Sequence, residues 1–366
     1  MDHLKENAAP VSLPSLVEAT SWGQLQGKDI KLYTLTNRRG SEVKLTNFGA
    51  TVVSLRVPDR QGCLADIVLG YATPEAYLAD EFYMGGVVGR YANRIAGKTV
   101  VVEGTAYELA TRNGGYHLHG GSKGFNKHIF DSHGFERDHV SGVRFYLLSP
   151  HMDEGFPGEL SFTVTYTFSD DNVLEVAYEA TSDRATIVNF TQHSYFNLSG
   201  NPALAILDHQ LHIHSSRYLP VNEMQVPVGV LAAVADTPFD FRQFHSIGER
   251  INSPDRQLEL SGGYDHSYVL EPDQPGGLAH AATVWEEKTG RIMNVYTTEP
   301  AVHFYSGNFL ADTIRGKDGI MYNKRSGFCL ETQHFPDAPN HPHFPSTLLP
   351  AGERFSSKTV FAFSTR

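Results

Sequence analysis

Between Leu160 and Phe168 the chain alternates strictly: Leu160, Phe162, Val164, Tyr166 and Phe168 are separated by Ser161, Thr163, Thr165 and Thr167. A period of two puts every apolar side chain on one face of an extended segment, the pattern of a half-buried β-strand. Ser169-Asp170-Asp171-Asn172 supplies turn chemistry, after which Leu174, Val176 and Tyr178 alternate with Glu175, Ala177 and Glu179. The two runs predict an antiparallel hairpin. Similar short runs are expected as strands at Val43 to Val57, Lys98 to Val102, Gly142 to Leu148, Ala185 to Phe190, Gln210 to His214, Arg291 to Tyr296 and Phe328 to Glu331. No stretch of about 12 residues shows helical spacing with credible caps, so helices are expected to be short. Many strands in series without a βαβ alternation predict an all-β fold of antiparallel sheets packed as a sandwich or barrel. Residues 1–22 have weak periodicity and read as an extension or edge segment. Residues 23–366 read as one large domain with no fixed-period repeat.

Composition narrows the function classes. Of the 366 residues, 40% are hydrophobic and 19% charged, with 33 Gly and 19 Pro, which suits a turn-rich globular chain and excludes wholesale disorder. The balance of 30 Lys and Arg against 41 Asp and Glu gives a net charge of −11, and no basic stripe is present, so nucleic acid is not an expected partner. The apolar run Val230 to Ala235 is six residues long, far short of the roughly 20 that span a bilayer, so no membrane is expected either. Met1-Asp2-His3-Leu4-Lys5-Glu6 lacks the apolar stretch of a secretory signal, which points to the cytoplasm, or to the periplasm if a signal has been removed. Cys63 and Cys329 have no paired spacing and are expected as reduced thiols.

Some motifs imitate chemistry without its context. Gly120-Gly121-Ser122-Lys123-Gly124 fits G-x-S-x-G, yet no helical pattern follows, as a nucleophile elbow requires. Gly97-Lys98-Thr99 resembles the end of a P-loop, but Ala92 stands where the first glycine belongs. His212 with His214, and His334 with His341 and His343, lack a recognisable ligand spacing, so no metal is expected.

Four other segments combine ionisable, aromatic and glycine residues in ways a plain core does not need. They are Gly89-Arg90-Tyr91-Ala92-Asn93-Arg94-Ile95, His117-Leu118-His119-Gly120-Gly121, the run from Asn189 to Leu198 containing His193 and Tyr195, and the run from Phe328 to Asp337. Glu331 ends an apolar strand in the last of these. A carboxylate buried without a partner costs several kcal/mol, so Glu331 reads as a desolvated, rigidly held group able to act as a general base. Together the segments suggest a polar, sugar-like pocket with an acid and a base.

These segments, with Gly263-Tyr264-Asp265-His266 and Ser326 to Asp337, resemble the aldose 1-epimerase family, also called galactose mutarotases, over about Leu45 to Phe355. The resemblance implies a large antiparallel β-sandwich and interconversion of the α and β anomers of free hexoses such as galactose and glucose. It further implies that Glu331 takes the proton of the C1 hydroxyl and His193 protonates the ring oxygen. Asn93, Arg94, His119, Tyr195 and Asp265 would hold sugar hydroxyls. His303 stands where the family commonly has Gln, at a position that contacts the sugar, so hexose preference is left open. Ring opening needs one proton removed and one delivered, hence no cofactor is expected. A monomer or weak homodimer working on a small free sugar is the expectation. The alternatives are a non-catalytic sugar-binding module on the same scaffold, a hexose-phosphate epimerase with extra Arg or Lys at the distal end, and a glycosidase pairing Glu331 with Asp265.

Overall fold

The computed structural model describes residues 16–111, 115–271, 274, 276–311 and 313–366. In it the hairpin expected from the alternation is present: Leu160–Ser169 pairs antiparallel with Val173–Ser182, and Phe168 faces Leu174 across the turn. Asn172 closes that turn at φ 57, a left-handed conformation that its short polar side chain tolerates. Its Oδ1 accepts a 2.8 Å hydrogen bond from Asn37 Nδ2, which ties the hairpin to the first sheet.

The hairpin lies within a nine-stranded antiparallel sheet. The sheet runs from Asp131–Arg137 through Val140–Ser149, the hairpin, Arg354–Thr365, Arg291–Thr297, Ala279–Trp285 and Gln210–Ile213 to His245–Ser246. Arg354–Thr365, from the far end of the chain, is inserted against Val173–Ser182, with Ser357, Thr359, Phe361 and Phe363 turned inward. That alternation is legible in the sequence, yet the segment was not among the runs expected. A five-stranded sheet is formed by Leu16–Leu25, Lys28–Thr36, Glu42–Thr46, Thr51–Pro58 and Leu64–Asp66.

Two expected runs differ in the structure. Val43 to Val57 is two strands, because Gly49 (φ 69) and Ala50 (φ 47) turn the chain back on itself. Ala185 to Phe190 pairs as a strand only over Thr186–Ile187, since Asn189 instead exchanges backbone hydrogen bonds with Arg90 and Ala92. The expected extension 1–22 falls largely on residues 1–15, outside the described residues, while Leu16–Trp22 belongs to an edge strand paired with Lys28–Thr36.

A third sheet has five strands: Ala232–Ala233, Arg217–Tyr218, Asp265–Val269, Ala301–Tyr305 and Cys329–Gln333. One continuous core draws on all three sheets, including Leu45, Phe145, Phe361, Tyr268, Phe304 and Leu330. Each such side chain contributes about 1.5–3 kcal/mol by leaving water. The three α-helices among the described residues are Pro74–Ala79, Ile247–Arg250 and Arg256–Ser261, all short as expected. Thr73 caps the first with Pro74 at its start, and Asp255 and Gly262 cap the third. No described helix is long and apolar enough to cross a membrane.

Candidate active site

Strand pairing in the third sheet assembles half of the site. Ala301–Tyr305 is central, and its register places His303 between Ser267 on one neighbour and Glu331 on the other. Two residues along, Asp265, Tyr305 and Cys329 form a second row. Side chains two apart on a strand share a face, so all six project from one side of the sheet. The alternate residues Tyr268, Val302, Phe304 and Leu330 enter the core on the other side. Local periodicity thus divides each strand into a packing face and a polar face.

Turns supply the other half. Arg94–Ala96 pairs with Tyr116–Leu118 with Arg94 opposite Leu118, so Asn93 and His119 meet just past the end of the ladder. Both take left-handed backbone conformations, φ 62 and φ 47, which cost strain and are held by reciprocal bonds. The His119 amide donates to the Asn93 carbonyl at 3.0 Å, and the Asn93 amide donates to His119 Nδ1 at 3.1 Å. His193 follows the short strand Thr191–Gln192, paired with Val87–Val88, and bonds back to Gly85 and Gly86. Phe196 then pairs with Phe328, which draws the His193 segment alongside Cys329–Gln333.

The two halves enclose one open cavity of about 180 Å³. All eight residues singled out from the sequence line it: Glu331, His193, Asn93, Arg94, His119, Tyr195, Asp265 and His303. His193 Nε2 lies 3.6 Å from Glu331 Oε1, both side chains at least 95% buried. Rings of Tyr83 and Tyr195 flank the imidazoles, 4.5 Å from His119 and 5.1 Å from His193.

Burial governs the protonation of this pair. Desolvation, then the negative charge of Asp265, pushes the Glu331 carboxyl well above its ordinary value, while Arg94 opposes the shift. Desolvation likewise lowers His193 to about 4, with Asp265 pulling the other way. Desolvation drives His119 well down, helped by nearby His193 and by the Arg94 guanidinium. For Asp265 burial would raise the pKa, but the hydrogen bond and charge of His303, together with Arg94, outweigh it and hold the carboxylate at about 2.

His119, His193 and Glu331 each bring a ligand atom within 4.8 Å of the others, a set that superficially suits a metal ion. The Asn93 amide, however, occupies the lone pair of His119 Nδ1. That leaves Nε2 carrying the hydrogen, as a donor and not as a ligand.

The imitative motifs resolve otherwise. Ser122 is exposed in a turn and its amide donates to Glu154, with only the 3-10 turn Phe125–Lys127 after it. His334, His341 and His343 each find a separate partner in Glu299, Asp337 and the Gly229 carbonyl. His212 and His214 share a strand face with ring centroids 4.2 Å apart, and neither lines the cavity.

Several lining or supporting residues were not anticipated. Ser267 and Tyr305 stand two residues from Asp265 and His303, so the strand period alone reveals them. Gln225, which accepts from Arg94 Nη2 at 2.6 Å, comes from an irregular loop with no such signal. Phe309 lines the mouth by stacking on Tyr305. Tyr195 spends its hydroxyl on the Phe82 carbonyl at 3.0 Å, so in this geometry it braces the wall.

Comparison with known proteins finds relatives over most of the chain. The profile of the family described as Aldose 1-epimerase matches residues 31–362. The galactose mutarotase of Bos taurus is 44% identical over 322 residues, 88% of this chain and 91% of its own length. The aldose 1-epimerase of Escherichia coli strain K12 is 39% identical over 340 residues, 92% of this chain and 96% of its own. The crystal structure of galactose 1-epimerase from Lactobacillus acidophilus superposes with a TM-score of 0.85 at 30% identity, covering 96% of this chain and 99% of the other.

Proposed function

Because the chain belongs to the aldose 1-epimerase family, we propose that its cavity opens and recloses the ring of a free aldose, with Glu331 and His193 as the proton-transfer pair. The enzyme is an epimerase that interconverts the α and β anomers of free sugars. The observation that carries the residue assignment is the 3.6 Å separation of Glu331 and His193 inside a cavity otherwise lined by sugar-type hydrogen-bonding groups. The hydroxyl oxygen and the ring oxygen are bonded to the same anomeric carbon, so the groups serving them must be neighbours too.

The proton inventory follows from the electrostatics. With the cyclic sugar bound, Glu331 as carboxylate takes the C1 hydroxyl proton and His193 as imidazolium donates to the ring oxygen. The O–H electron pair becomes the carbonyl π bond, and the C1–ring-oxygen pair stays on the ring oxygen. Rotation about C1–C2 presents the other carbonyl face. Reclosure reverses both transfers, neutral His193 accepting and protonated Glu331 donating, so the pair carries one proton throughout. Burial favours the uncharged arrangement, protonated Glu331 beside neutral His193, which is the state that accompanies the open chain. Arg94 stabilises the carboxylate and so favours the charged arrangement needed by the closed ring, whereas Asp265 stabilises the imidazolium but also holds the proton on Glu331.

Among the described lining residues Arg94 is the one Arg or Lys, and Gln225 already engages it. A phosphorylated hexose finds no further cation among the described lining residues, which favours uncharged sugars. Polarimetry of freshly dissolved α-D-galactose and α-D-glucose tests the reading. The wild type accelerates the approach to anomeric equilibrium, whereas failure on every free aldose refutes it.

A further inference from the structure

We propose that His303 is a positioning residue that acts on the sugar through Asp265, the relay Ser267–His303–Asp265 setting sugar affinity and not the rate of ring opening. This rests on the reading of the cavity as a free-aldose site.

Both ring nitrogens of His303 are committed. Nε2 lies 2.7 Å from Asp265 Oδ1 and Nδ1 lies 2.9 Å from Ser267 Oγ. An ionised carboxylate only accepts, so Nε2 carries the hydrogen toward Asp265, while Nδ1 pairs with the Ser267 hydroxyl. His303 lines the cavity with no polar atom left for a ligand. The imidazole is held directly opposite Ser267 by the strand register and leans diagonally to Asp265, two residues away on the same face. All three side chains are buried, so the relay is shielded from water.

What the relay fixes is a slot. With Oδ1 bound to His303, Asp265 Oδ2 is held 3.9 Å from Arg94 Nη2, beyond direct hydrogen-bond reach. The same Nη2 donates to Gln225 Oε1 at 2.6 Å, and the buried Nε has no hydrogen-bond partner among the described residues. A sugar hydroxyl placed between them donates to Oδ2 and accepts from the guanidinium. Without His303 the carboxylate is free to swing onto Arg94 and form the direct ion pair, closing the slot and consuming the groups the sugar needs.

The test compares H303L, H303Q and S267A in the full-length protein, with kcat and KM for galactose from polarimetry and galactose affinity from calorimetry. H303L raises both KM and the dissociation constant about 10- to 100-fold, the scale of a charge-assisted hydrogen bond, with kcat within about threefold. H303Q restores both to within about threefold of wild type, since its amide donates to Asp265 while its carbonyl accepts from Ser267. S267A gives a smaller rise of the same sign, about two- to fivefold. If H303L does not fold, H303Q and S267A carry the test. An H303Q as impaired as H303L, an S267A at wild-type affinity, or a loss confined to kcat overturns the proposal. The affinity ratios are read without turnover, so a protein that binds galactose yet accelerates nothing refutes the catalytic reading alone.

Discussion

Replacing Glu331 by Gln should move activity and stability in opposite directions, because one desolvated carboxylate governs both. The side chain is 2% exposed, and its Oε2 has no hydrogen-bond partner among the described residues. Gln preserves the shape but offers no basic oxygen for the C1 proton. Loss of a positioned base costs about 10²–10⁴ in kcat, or about 2.7–5.5 kcal/mol on the barrier. Stability responds to the raised pKa. In the unfolded chain the carboxyl ionises near its ordinary value of 4.5, whereas burial and Asp265 keep it protonated to higher pH in the folded state. Stability from this group is therefore fully present below pH 4.5 and is lost as pH rises through the folded value, at about 1.4 kcal/mol per unit of difference. Gln escapes that loss. E331Q should be more stable than wild type by about 1–3 kcal/mol at pH 8, since Gln has no charged form to desolvate. At pH 4 the two should be nearly equal. Melting at both pH values reads the difference, at roughly 2 °C per kcal/mol. A kcat within threefold of wild type refutes the base assignment. A Tm difference that is the same at both pH values, or negative at pH 8, refutes the desolvation argument.

Three further outcomes are expected. In the free enzyme the Glu331–His193 pair gains a second proton near pH 4, because burial depresses His193 to about 4. The acid limb of kcat/KM should lie there, and H193N should lose it along with about 10²–10⁴ in kcat; an acid limb at pH 6–7 in the wild type argues against this assignment. D265N should raise KM for galactose about 10- to 100-fold by removing a charged acceptor. It should also shift the basic limb to lower pH, since the charge of Asp265 holds the Glu331 proton on, and an unmoved limb counts against that coupling. Gly120 sits at φ 89, where a Cβ would lie 1.8 Å from the Gly89 carbonyl oxygen. G120A should therefore destabilise the fold by at least ~2 kcal/mol and displace His119, which thermal melting and KM together would reveal.

The sequence by itself determined the local elements and the kinds of chemistry available. Alternation from Leu160 to Tyr178 dictates a hairpin, because a period of two is compatible with a single buried face only in an extended chain. A carboxylate ending the apolar run at Glu331, and the clusters around Asn93, His119 and His193, announced polar side chains with no place in a plain core, while Asp265 entered through the resemblance. Resemblance then supplied roles for them. Tertiary structure decided how these groups meet. Asp265, His303 and Glu331 fall in line only because three strands pair in one register, and a slip of one residue would turn all three into the core. Gln225 reaches Arg94 from a loop that carries no periodic signal. Tyr195, His303 and Asp265 were legible as site residues, but not that the Phe82 carbonyl takes up the Tyr195 hydroxyl or that Asp265 and Ser267 take up the His303 nitrogens. Hydrogen-bond partners distant in the chain leave no mark on local pattern, and the burial that shifts Glu331 and His193 in opposite directions is a property of the assembled cavity.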